Sequence, residues 1–207
     1  VLIAGAWIKT LAFIVIAPVV GMALAYMLMI LMFWTFRRAN PEAVDPYFRK
    51  LQLVSSALLS FSHGANDAQK TAGIITGVLV TSGYLKPFEV PYWVILLAYS
   101  AIGLGTLSGG WRIVHTMGGR LTRLKPRSGF CAETAAALAI QFSTEVMNLP
   151  VSTTHVTAGS IAGVGMVNRV KAVRWGVAGN IVWAWIFTIP ASAFVAAIAY
   201  WFSYTLI

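Results

Sequence analysis

Residues 10–36 (TLAFIVIAPVVGMALAYMLMILMFWTF) form an apolar run without a single charged side chain. About 20 such residues in a helix suffice to cross the hydrocarbon core of a bilayer. A helix also satisfies its own backbone hydrogen bonds where no water is available. Two further runs of this kind follow, at residues 92–110 and 175–204. The composition agrees: 58% of residues are hydrophobic and 10% charged, with a mean hydropathy of +0.77. Soluble domains carry about a quarter charged residues. The chain therefore reads as an all-α, polytopic integral membrane protein, expected in the cell membrane. The single cysteine, Cys131, excludes a disulfide scaffold and reads as a small core residue. The first residue is Val1 and no short signal-like pattern precedes the first apolar run, so a truncated or processed start is expected.

Fifteen Lys and Arg against six Asp and Glu give a net charge of +9. Twelve of the fifteen lie in three short stretches between apolar segments: Arg37, Arg38, Arg49 and Lys50; Arg112, Arg120, Arg123, Lys125 and Arg127; and Arg169, Lys171 and Arg174. Basic loops between spans mark the cytoplasmic face, so the charge orients the chain and no nucleic-acid partner is expected. Residues 37–50 read as a cytoplasmic loop and residues 83–91 as an external one. Residues 111–127 return the chain to the inside, and Ile113, Met117, Leu121 and Leu124 recur there at helical spacing. In the final span, Trp175, Trp183, Trp185 and Trp201 are candidate interface anchors.

Two segments break the pattern. Residues 51–82 would make a helix of about 48 Å, beyond the roughly 30 Å core, and the polar insert HGANDAQK (63–70) falls near its middle. The insert is expected to break the helix. Residues 128–168 are interrupted by NLPVSTTH (148–155) and lie between two basic stretches. A hairpin that enters and leaves on one side satisfies both flanks. Interrupted helices at membrane depth persist where they line a cavity or lie against protein, as at the binding sites of secondary transporters.

The chemistry concentrates at these interruptions. Asp67, Glu133 and Glu145 are ionisable residues within or beside apolar segments, where charge is expensive. Asn66 or Asp67 can cap a following helix; Asp67 can instead offer oxygens to a hard cation or carry a proton. Gln69 can donate or accept hydrogen bonds, and Lys70 can pair with Asp67 three residues earlier. After Pro150, Ser152, Thr153 and Thr154 place three consecutive hydroxyls before an apolar helix. Free N–H groups at a helix start attract anions, and hydroxyls add neutral donors, which suits a tetrahedral oxyanion. Ordinary capping is the plainer reading of both segments. The pairs Gly73/Gly77 and Gly159/Gly163 follow the two motifs and are expected to pack those helices together. His63 and His155 flank the interruptions and read as capping or packing residues; His115 lies in a basic loop. No nucleophile elbow, zinc-protease or phosphate-loop motif is present, and the chain is not expected to be an enzyme.

HGANDAQK (63–70), PVSTTH (150–155) and SGFCAETA (128–135) together resemble the signatures of inorganic phosphate transporters of the PiT type, in order and spacing over about residues 50–207. The resemblance implies symport of phosphate with Na⁺ or H⁺ by alternating access, and no organic cofactor. It implies a phosphate site formed by Asn66, Gln69, Ser152, Thr153 and Thr154, and sodium ligands among Asp67, Asn66 and Glu133. It also implies a fold of two inverted repeats. Only one copy of each motif is present here. The chain is therefore expected to be about half of such a transporter, with residues 1–50 a leading span and loop and 51–207 one repeat. The other half, or a second chain, would complete the site in a lipid-embedded homo-oligomer. A sulfate transporter of the same architecture and a non-transporting membrane scaffold are the alternatives.

Overall fold

The structure, a computed structural model, describes residues 4–86 and 89–206. The start at Val1, and Pro87 and Phe88 of the loop expected at 83–91, lie outside the described residues. Among the described residues six helices of 16 residues or more run in order: α1 (Ala4–Thr35), α2 (Pro41–Thr81), α3 (Tyr92–His115), α4 (Pro126–Gln141), α5 (Thr153–Asn168) and α6 (Trp175–Leu206). Wide π-type turns follow α3 (Thr116–Leu121) and α4 (Phe142–Val146), and a 3₁₀ turn, Val170–Ala172, follows α5. No strand occurs among the described residues. The chain divides into two compact units, one ending at Val173 and one beginning at Arg174. The second is α6 alone, a helix with Pro190 inside and large apolar side chains exposed along its length.

One of the two expected interruptions is absent. α2 is continuous through residues 63–70, and it begins at Pro41, so most of the loop expected at 37–50 is helical. Pro41 stands at the first helical position, where proline is preorganised, and the Asn40 carbonyl accepts the Val44 N–H at 3.2 Å. Within 63–70, Ala65, Ala68, Gln69 and Lys70 are sound helix formers, and Gly64 costs only about 1 kcal/mol. Asp67 meets Lys70 at i+3 and His63 at i−4 along the helix face, which supports the continuous form.

The second interruption is present. α4 and α5 each have 16 residues, about 24 Å, too short to cross a core of roughly 30 Å. Between them Asn148 takes φ 52°, a left-handed value that Asn tolerates. Ser152 caps α5, its Oγ accepting the His155 N–H at 3.4 Å. At the open end of the hairpin, Thr122 Oγ1 donates to the Ala172 carbonyl at 3.3 Å. The hairpin therefore enters and leaves at one end.

The glycine pairs do not pack on each other as expected. Gly159 and Gly163 lie against the Pro18 and Met22 carbonyls of α1, while Gly73 and Gly77 have nothing within 4 Å of where a side chain would begin. Gly21 faces the Val156 carbonyl, and Ser160 Oγ donates to the Gly21 carbonyl at 3.2 Å. Pro18 explains a further contact. It has no N–H to give the Ile14 carbonyl four residues earlier, and His155 Nδ1 lies 3.4 Å from that oxygen. His155 thus joins α5 to α1 where α1 lacks its own bond.

Glu133 ties α4 to α2. Its carboxylate accepts from Ser55 Oγ at 2.6 Å, Ser56 Oγ at 2.8 Å and Gln52 Nε2 at 3.3 Å. Nearer the helix starts, Arg127 pairs with Asp45 at 2.7 Å. Beside that pair, Phe48 stacks edge-on against Phe36 and Phe130.

Two stability effects are expected, each read from thermal unfolding of the detergent-solubilised protein. Gly159→Ala forces a methyl into the Pro18 carbonyl and should cost about 1–3 kcal/mol. Glu133→Leu takes the shared acceptor from Ser56 and Gln52, leaves the buried Ser55 hydroxyl with the Gln52 carbonyl alone, and should cost about 1–2 kcal/mol. An unchanged melting temperature in either variant would contradict the packing assigned to it.

Candidate functional site

The tip of the α4–α5 hairpin exposes backbone that no helix satisfies. Between Met147 and Ser152 the chain is irregular, and a carbonyl there needs a donor from elsewhere. α2 supplies two. Asn66 Nδ2 donates to the Val151 carbonyl at 2.8 Å and Lys70 Nζ donates to the same oxygen at 2.6 Å. His63 Nδ1 lies 2.8 Å from Thr153 Oγ1, a hydrogen bond whose donor is set by the imidazole tautomer. His63, Asn66 and Lys70 recur at i, i+3 and i+7, so one face of α2 grips the tip.

Asp67 stands at the margin of this contact. Its Oδ1 faces Lys70 Nζ at 3.4 Å and Asn66 Nδ2 at 3.5 Å, and its Oδ2 lies 3.6 Å from His63 Nδ1. The Asp67 side chain is 34% exposed, so one side of the carboxylate stays open. Asn66 and Thr153 are buried, at 2% and 5% exposure. Thr154 is exposed at the start of α5, and Ser152, half-buried, is committed to capping.

Of the residues singled out in the sequence, Asn66, Asp67, Ser152, Thr153 and Thr154 converge here. Gln69 is exposed and takes part in none of the described hydrogen bonds of the site. Glu133 is engaged instead with Gln52, Ser55 and Ser56. Glu145 is exposed in the π-type turn after α4. Among the described residues no three His, Cys, Asp or Glu gather as metal ligands. A hard cation here would draw on one carboxylate with carbonyl, amide and hydroxyl oxygens, a donor set that suits an alkali ion better than a transition metal.

Sequence reasoning missed one residue and two contacts. Ser62 Oγ is buried without a protein partner, one helical turn before Asn66 on the same face. The serine was hidden by the assumption that α2 breaks at this point. The engagement of Lys70 with Val151 and of His155 with Ile14 is long-range, and only Pro18 hinted at the second.

Together the residues juxtapose a carboxylate, an ammonium, hydroxyls and a helix N-terminus at the end of a membrane hairpin. Ile8–Thr35, Tyr92–Trp111 and Trp175–Thr205 are long and apolar enough to cross a membrane. The model of the phosphate transporter family matches residues 1–196. A protein of Rhizobium meliloti (strain 1021), named a probable low-affinity inorganic phosphate transporter, is 53% identical over 194 residues, covering 93% of this chain and 58% of its own. A Bacillus subtilis (strain 168) protein of the same name is 40% identical over 195 residues, covering 94% and 58%. A solved structure described as the sodium-dependent phosphate transporter has the same fold, with a TM-score of 0.84 at 23% identity over 97% of this chain and 67% of that one. The chain thus spans a little over half the length of these curated relatives. Its sequence, its spans and its hairpin agree: the chain is a multi-pass plasma-membrane protein that belongs to the phosphate transporter family.

Proposed function

We propose that this chain forms one side of a cation-coupled inorganic phosphate transporter that works by alternating access. The observation that carries this reading is the grip of His63, Asn66 and Lys70 on Val151 and Thr153, which joins the two motifs into one polar site. The anion would sit against the start of α5, where the first N–H groups are directed out of the helix and Thr153 and Thr154 carry hydroxyls. Asn66, whose amide N–H groups face the Val151 carbonyl and Asp67, would hold the hairpin tip in place for the anion. Asp67 would act through charge: a carboxylate beside an anion site needs positive charge around it, which Lys70 supplies in part and a coupling cation would complete, so binding of anion and cation becomes linked. Na⁺ or H⁺ is the coupling ion in this reading. Phosphate is favoured over sulfate because a protonated phosphate can donate a hydrogen bond to the Asp67 carboxylate, and sulfate cannot.

The exposed side of Asp67 and Thr154 also needs a cover in lipid. The further length of the relatives leaves room for a second half that closes the site from the other side, which we read as related to this one as an inverted repeat. Rocking of the two halves would present the loaded site to each face in turn.

The test is uptake of radiolabelled phosphate by the complete protein in proteoliposomes, under a Na⁺ gradient and under a proton gradient. Uptake is expected under at least one of them, with sulfate a poor competitor. Asp67→Asn is expected to abolish uptake while leaving the melting temperature within a few degrees of the parent. Accumulation of sulfate instead of phosphate, or full uptake by Asp67→Asn, would refute the assignment.

A further inference from the structure

A lysine ammonium and an alkali ion are both monovalent cations that seek oxygen lone pairs. Lys70 Nζ lies between two such oxygens, 2.6 Å from the Val151 carbonyl and 3.4 Å from Asp67 Oδ1. A carboxylate oxygen and a carbonyl at a helix break are the ligand types an alkali ion would take here. The other donors around them, Asn66 and the ring of His63, approach the same two groups from α2. The ammonium is held in register by a continuous helix, because Asp67 and Lys70 are i and i+3 on one face. Lys70 is also the only Lys or Arg between Lys50 and Lys86 in the sequence.

Resting on the reading above, that Asp67 belongs to a cation-coupled phosphate site, we propose that Lys70 is a tethered counter-cation. Its ammonium occupies the place at Asp67 and Val151 that a coupling Na⁺ would otherwise take. The negative charge of Asp67 is then compensated by the chain itself, and one fewer Na⁺ is required for phosphate to bind. Lys70 is thus a determinant of ion specificity. Removing its charge should open the carboxylate and the carbonyl to a free alkali ion. Both side chains are about one-third exposed, so an ion has a route to the pair.

The experiment compares the complete parent protein with Lys70→Gln and Lys70→Arg in proteoliposomes, measuring phosphate uptake in Na⁺ and in choline. The ratio of the two rates is the readout. It should rise about tenfold in Lys70→Gln, the scale expected when a partly exposed carboxylate loses an adjacent cation, and stay near the parent value in Lys70→Arg. The second readout is thermal unfolding in the same two salts. Na⁺ should stabilise Lys70→Gln more than it stabilises the parent, even if that variant transports slowly. Equal ratios in parent and Lys70→Gln, with equal Na⁺ effects on melting, would overturn the tethered cation. A parent that takes up no phosphate under any gradient would instead overturn the transport reading, and the melting comparison would still decide the role of Lys70.

Discussion

The Val151 carbonyl is the point on which this structure depends. It belongs to a stretch of chain that leaves helical form inside a membrane protein, where an unpartnered carbonyl is costly. Two α2 side chains, Asn66 and Lys70, donate to it. That contact fixes the depth of the hairpin tip along α2, brings Thr153 to His63, and leaves the Asp67 carboxylate beside the start of α5. The polar residues of residues 63–70 are therefore tolerated because they complete the backbone of another segment. The same groups that solve a folding problem are those that create a polar site.

The rest of the fold holds the hairpin against its neighbours by the same logic of supplied partners. α1 loses one backbone bond at Pro18, and His155 of α5 approaches the carbonyl left over. Glycines at 21, 159 and 163 then allow the two helices to touch backbone to backbone, which in lipid is a main source of helix association. On the opposite side, the Glu133 carboxylate is met by three donors from α2, so α4 is held between α2 and α5. Helices α4 and α5 do not span the membrane by length, and these lateral contacts take the place of a lipid-spanning anchor.

Much of this was legible in the sequence. The three spans followed from uncharged length alone, and the hairpin from basic stretches on both sides of an interrupted segment. The convergence of Asn66, Asp67 and Thr153 was expected from the resemblance and from packing between the glycine pairs; the residues do meet, but through the α2 side chains that donate to Val151 and not through the glycines. The expected break at 63–70 did not form, because Ala65, Ala68, Gln69 and Lys70 favour the helix and Asp67 pairs with Lys70 at i+3 and His63 at i−4. The partner of Gly159 was misassigned for a related reason. A small residue shows that something comes close, but nothing in its own segment says which helix does. Gln69 was singled out for its amide and Glu133 for its charge as well as by resemblance, and the contacts of Glu133 with Ser55 and Ser56 depend on a register between α2 and α4 that local pattern does not encode.

The central claim, that the two motifs make one site for a tetrahedral oxyanion, is tested most directly by equilibrium binding of radiolabelled phosphate to the complete protein carrying Asn66→Ala or Gln69→Ala. Asn66 is buried against Val151, whereas Gln69 is exposed away from it. The account predicts that phosphate binding is lost in Asn66→Ala and kept in Gln69→Ala. Binding that survives Asn66→Ala and disappears in Gln69→Ala would contradict it.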